Sequence, residues 1–164
     1  MRTAAILIFL TALFLQSSFF AQTAQPSPVP RPAEDISGMY SFLQDGEFVQ
    51  ITVEDAGRVT GFISRYGDSD GDHGAFLNQF FKAGKIEGDK LTFTTETVHA
   101  VWYEFSGTVE HPAGKNPGDE GYRLLRGTLT ESRTDADKKA STTTRNVGFK
   151  SFPQDAEAPA PKPD

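Results

Sequence analysis

Arg65, Lys82, His99, Arg145 and Tyr103 are the residues of this sequence whose types and spacing suggest binding chemistry. Side chains two apart along a strand share a face. On that count all five fall on the same phase as the apolar residues Val49, Ile51, Ile63, Phe93 and Phe105. Strands of a meander alternate direction, so odd strands end where even strands begin. Arg65, near the end of a third strand, then meets Lys82, His99 and Arg145, near the starts of a fourth, sixth and eighth. Tyr103 lies deeper on the face of His99. The expected arrangement is a cationic rim over an apolar floor, suited to an amphipathic anion such as a carboxylate with an apolar body. A competing reading stands beside it. Long basic side chains at a barrel end often only reach water, and Asp68, Asp70, Asp72 and Glu131 are close enough in sequence to neutralise them.

Other chemistries find less support. Asp68-Ser-Asp70-Gly-Asp72-His-Gly74 alternates oxygen ligands as a calcium loop does, but His73 stands where that loop needs glycine and Gln79 where it needs a bidentate acid. It reads as a solvated acidic hairpin loop, with weak calcium binding as the alternative. His73, His99 and His111 have no short metal-ligand spacing. There is no cysteine, which excludes disulfides, thiol nucleophiles and thiolate metal sites. No nucleophile elbow, phosphate-cradling glycine loop or zinc-protease motif is present. No catalytic residue, metal or cofactor is therefore assigned.

The elements that must position these residues are short β-rich runs separated by turn residues. Eight are expected: Gly38–Gln44, Glu47–Glu54, Arg58–Tyr66, Gln79–Glu87, Lys90–Thr97, His99–Glu110, Gly121–Glu131 and Thr142–Phe152. Asp45-Gly46, Ala56-Gly57 and Gly88-Asp89 are compact hairpin signals. Ala75, Phe76, Leu77 and Phe80 are placed in one helical turn after Asp72. Gly61, Gly84, Gly107 and Gly127 each sit on the apolar phase of a strand. Glycine there marks bending or close packing, as where a sheet curls. The fold class expected is all-β: an eight-stranded antiparallel up-and-down barrel, whose interior is filled by side chains or holds one small ligand. The sixth run is apolar on both faces, so an outward Trp102 either packs under a loop or tail or enters a subunit interface.

The opening of the domain, Ile36-Ser-Gly38-Met-Tyr40, then Phe48-Val-Gln-Ile51-Thr-Val53 and Gly57-Arg-Val-Thr-Gly61, resembles the start of avidin-like barrels. It is also similar to the glycine-x-tryptophan opening of lipocalins, with Tyr40 in the tryptophan position. The resemblance implies a calycin-type barrel with a ligand inside, as in secreted bacterial proteins of that type. Biotin contacts do not carry over. Phe42 stands near an avidin's polar asparagine, and Ile63 and Arg65 near the tyrosine and serine of its third strand.

Arg2, the apolar run from Ala4 to Leu15 and the small residues around Ala21 have the order of a secretory signal. The expected organisation is a signal peptide over 1–21, a proline-rich linker over 22–35, the barrel over 36–152 and an Ala/Pro-rich disordered tail over 153–164. The apolar run is shorter than the roughly 18 residues of a spanning helix, so no stable membrane insertion is expected after cleavage. Losing Arg2, one of 16 basic side chains, leaves 15 against 22 acidic ones, a net charge of −7. That balance disfavours nucleic acid as a partner. The leading expectation is a secreted or periplasmic non-enzymatic barrel that binds a small, partly apolar ligand. Its rivals are a protein-interaction or structural module of the cell envelope, with a homo-oligomer through the Trp102 face, and a hydrolase.

Overall fold

The computed structural model describes residues 34–68 and 71–153. The expected signal peptide, nearly all of the linker and all of the tail except Pro153 lie outside the described residues. So do Ser69 and Asp70 of the acidic loop.

Eight antiparallel strands follow one another in a single meander: β1 (Gly38–Ser41), β2 (Phe48–Val53), β3 (Val59–Tyr66), β4 (Phe76–Glu87), β5 (Lys90–Thr95), β6 (Val101–Glu110), β7 (Leu124–Thr134) and β8 (Ala140–Lys150). Spatial order equals sequence order. The sheet curls about one core, with Tyr40, Val49, Ile51, Ile63, Ile86, Leu91, Phe93, Phe105, Leu125, Leu129 and Phe149 inside. Among the described residues the helical content is one 3₁₀ turn, Asp55–Gly57.

Glycines on the inward phase permit the curl. A Cβ on Gly127 would lie 2.4 Å from the Ser106 carbonyl oxygen and 2.5 Å from Gly107 Cα, its partner across the β6–β7 ladder. One on Gly61 would lie 1.9 Å from the Gln50 carbonyl oxygen. These strands approach too closely for any side chain, and the sheet bends there.

Closure is one-sided. β1 has four residues and meets the end of β8 through a Tyr40–Ser151 bridge, a Phe152 N–H donated to the Met39 carbonyl and a Lys150 N–H donated to Ser41 Oγ. The eleven residues of β8 pair along their length with β7. Beyond the reach of β1, Ala140 to Asn146 are exposed on both faces. The result is a half-barrel, shut at the lower end, where the described chain begins and ends, and slit at the upper end.

Three local expectations are corrected. Ala75 to Phe80 form no helical turn. β4 begins at Phe76, where Tyr66 pairs with it and the two rings lie tilted with centroids 4.5 Å apart; aromatic pairing across the ladder outweighs the local helical pattern. Lys82 is neither inward nor near a strand start, because a bulge between Phe81 and Ala83 resets the alternation. Gln79 and Phe81 then face the core on one side of the bulge and Ile86 on the other, with Lys82 exposed. His99 is not in β6 at all. It shares a two-residue turn with Ala100, both at positive φ, closed by reciprocal Val98–Val101 hydrogen bonds, the geometry of a type I′ hairpin.

Candidate functional site

The upper end of the half-barrel is framed by the β1–β2 turn, the β3–β4 loop, the β5–β6 turn and the β7–β8 hairpin. Below it a chain of rings crosses the bore: Phe81–Phe93 at 4.3 Å, Phe93–Phe105 at 5.2 Å, Phe105–Phe149 at 5.6 Å, Phe149–Phe42 at 5.2 Å and Phe42–Tyr103 at 5.4 Å between centroids. The expected apolar floor is therefore present, but phenylalanine occupies the middle of the bore.

Arg65 is the centre of this end. It is 3% exposed, which is rare for an arginine. Its Nε donates to Gln79 Oε1 at 2.7 Å and its Nη1 to the Tyr66 carbonyl at 3.0 Å. The guanidinium carbon stands 5.9 Å from the centroid of the Tyr103 ring, within cation–π range. Nη2 is buried and has no hydrogen-bond partner.

Gln79 holds this arrangement. Fully buried, it donates from Nε2 to the carbonyls of Val101 at 2.8 Å and Glu96 at 3.2 Å. Two carbonyl acceptors fix which end of the amide is nitrogen. Oε1 must then face Arg65. Tyr103 donates its backbone N–H to Thr95 Oγ1 at 2.9 Å, while its hydroxyl has no hydrogen bond among the described residues. Burial pushes the Tyr103 phenol up to about 12, so it stays protonated, and able to donate, across the physiological range.

The rim carries both signs of charge. Arg145 Nη2 reaches Glu131 Oε2 at 3.0 Å and Arg133 Nε reaches Glu131 Oε1 at 2.5 Å. Arg133 also binds Asp68, whose carboxyl the guanidinium holds below the usual carboxylate range. Asp68 Oδ1 lies 3.6 Å from Arg65 Nη1, beyond hydrogen-bonding reach. His99 pairs with the buried Asp72. The rim is an ion-pair network, in which Asp68, Asp72 and Glu131 pair with the basic groups as the competing reading of the sequence has it.

Of the residues singled out from the sequence, the structure brings Arg65 and Tyr103 into contact and sets Arg145 at the same end. His99 reaches that end only as a turn residue, and Lys82 stands apart on β4. Three participants went unmarked. Gln79 carried no signal, since the phase of Gly84 and Ile86 set it outward and only the bulge after Phe81 turns it in. Nor did Arg133, because the seventh run was expected to stop at Glu131. Glu47, whose carboxylate accepts the backbone N–H groups of Tyr66 at 3.0 Å and Gln44 at 3.1 Å, fell at a strand edge.

The acidic loop uses two of its carboxylates in ion pairs, Asp68 with Arg133 and Asp72 with His99. Among the described residues no group of three His, Asp or Glu side chains is placed to hold a metal ion. Nor is any helix there long and apolar enough to cross a membrane. His111 lies at the lower end, against Glu34 at 2.8 Å.

Comparison with solved structures places the architecture. Rhizavidin matches with a TM-score of 0.54 at 12% sequence identity, over 76% of this chain and 88% of its own. The fold is an avidin-type barrel. A rhizavidin–biotin complex gives the same TM-score of 0.54 at 12% identity, over 71% of this chain and 99% of that one. Apo short afifavidin gives 0.52 at 14% identity, over 73% and 98%. No protein-family model matches the sequence, and no curated protein matches it significantly. The avidin resemblance read from the first strands thus extends to the whole meander.

Proposed function

We propose that this chain is an exported, non-enzymatic barrel that binds a small, partly apolar ligand at its upper end. The observation that carries the reading is the unpartnered Nη2 of the buried Arg65 above the phenylalanine-crossed bore. Burying a charged donor without a partner costs more than one hydrogen bond returns. A site that keeps one is arranged for something that arrives later. The slit beside β8 offers a way in, since Thr143 and Arg145 stand on the inward phase yet remain exposed. The avidin-type fold supports a small-molecule role, as rhizavidin is found with biotin. Biotin itself is not assigned here, because Phe42, Ile63 and Arg65 replace the polar contacts an avidin uses.

Native mass spectrometry of the chain purified from its own host tests this, with extraction to identify what is carried. A stoichiometric small molecule is expected, and its addition to stripped protein should raise the melting temperature. A bare mass, with no thermal response to the extract, contradicts the reading.

A second reading is favoured by the outer face of β2–β4. Phe48, Phe62 and Phe80 form a ladder with centroids 5.9 and 5.6 Å apart, and Phe76 and Phe80 are about half exposed. Exposed aromatics of this kind mark interaction surfaces. On the opposite side Trp102 is half-buried on the outer face of β6. A homo-oligomer through either face would support an envelope interaction module, and light scattering on the exported chain separates the cases. A monomer across the micromolar range removes the oligomer.

A further inference from the structure

Resting on the small-ligand reading above, we infer that the upper end takes a monocarboxylate, its anionic end held by Arg65 Nη2 and the Tyr103 hydroxyl and its apolar body lying against Phe42. A guanidinium is a cation with N–H donors and no acceptor. The groups that bond it directly, the Gln79 amide and the Tyr66 carbonyl, are neutral.

The surrounding carboxylates are committed elsewhere. Glu131 divides its two oxygens between Arg133 and Arg145. Glu47 gives both of its oxygens to backbone N–H groups. Asp68 binds Arg133 and approaches Arg65 no closer than 3.6 Å. The guanidinium is left with one free donor, Nη2, while Asp68 stands as its ion-pair partner on the Nη1 side.

The second group is also a donor. Tyr103, with its phenol pushed up to about 12, retains its proton, and its hydroxyl is unbonded among the described residues. Gln79, locked by the two carbonyls it serves, is a positioning residue: its Oε1 holds Nε of Arg65 and so fixes the plane of the guanidinium that carries Nη2. Two donors whose neighbouring carboxylates are engaged by other groups favour an oxyanion over an amide or urea, which must donate as well as accept. Charge count selects within the oxyanions. A dianionic phosphate would bring two charges to a rim whose arginines Arg133 and Arg145 are already taken by Asp68 and Glu131. A monocarboxylate places one oxygen on each donor. Phe42, edge-on to Tyr103 at 5.4 Å between centroids, supplies an apolar wall for its body.

The test is calorimetric titration of the exported chain, stripped of any copurifying molecule, with hexanoate, its neutral isostere hexanamide, and inorganic phosphate at pH 7. Hexanoate should bind about tenfold more tightly than hexanamide, the size of one hydrogen bond to a charged group, and phosphate should give no heat. Arg65→Met should abolish the preference. Should that variant fail to fold, Tyr103→Phe decides, because it leaves the charge in place: hexanoate should weaken several-fold while hexanamide is unchanged. Equal affinity for hexanoate and hexanamide, an unchanged hexanoate affinity in Tyr103→Phe, or a neutral molecule carried from the host overturns the carboxylate and leaves the small-ligand reading standing. No binding of either probe, together with a bare native mass, overturns both.

Discussion

A guanidinium buried to 3% exposure with one nitrogen unpaired is an expense that folding alone does not explain. Replacing a buried charge by an apolar residue of similar volume is often neutral or stabilising. Arg65→Met is therefore expected to keep the unbound protein within about 1 kcal/mol of wild type. Loss of the Gln79 Oε1 partner offsets the relief of desolvation. Ligand binding should disappear in the same variant, and thermal unfolding with and without ligand reads both effects. Gln79→Ala should behave differently. It strips Arg65 Nε and the Glu96 carbonyl of their Gln79 bonds and leaves the Val101 carbonyl only the Val98 N–H, at a cost of about 3 kcal/mol, measurable by urea denaturation. Arg65 and Tyr103 were legible in the sequence because the inward glycines Gly61 and Gly107 gave the phase of their strands. Lys82 and His99 were misplaced because a bulge and a two-residue turn each break that phase locally, and neither carries glycine or proline as a flag.

At the scale of elements, the bends and turns carry the testable content. Gly127 faces Gly107 across β6 and β7, and a Cβ would fall 2.5 Å from Gly107 Cα. Gly127→Ala should destabilise by about 2 kcal/mol, as overpacking does, seen as a lower denaturation midpoint. The β5–β6 turn gives the opposite case. Ala100 holds φ at 63° without being glycine, a conformation that costs a residue with a side chain about 1 kcal/mol. Ala100→Gly should raise the melting temperature by about 4 °C. All eight strands were readable from alternation and turn residues. Their ends were less so, since β4 starts three residues earlier than expected, through aromatic pairing with β3 that no local pattern announces. The slit was not legible either, because how far β1 reaches along β8 depends on register.

The whole molecule should show its buried phenols in alkali. Burial pushes both Tyr40 and Tyr103 up to about 12, whereas an unfolded tyrosine titrates near 10. A raised folded-state value contributes stability that is intact below about pH 10 and lost as pH climbs toward about 12. Each phenol then contributes about 2–3 kcal/mol of loss across that interval, so unfolding should become steeply pH-dependent there. Absorbance titration should find two of the four tyrosines ionising late. Removing one buried phenol by Tyr103→Phe should reduce the alkaline slope.

At the same scale the avidin-type barrel, its ring-crossed bore and its slit upper end form one account: a small ligand enters beside β8 and stops at Arg65. Native mass spectrometry of the chain from its own host, run beside Arg65→Met, tests that most directly. The account predicts one small molecule per chain in the wild type and none in the variant. An unliganded mass in the wild type, or the same adduct in both proteins, would contradict it.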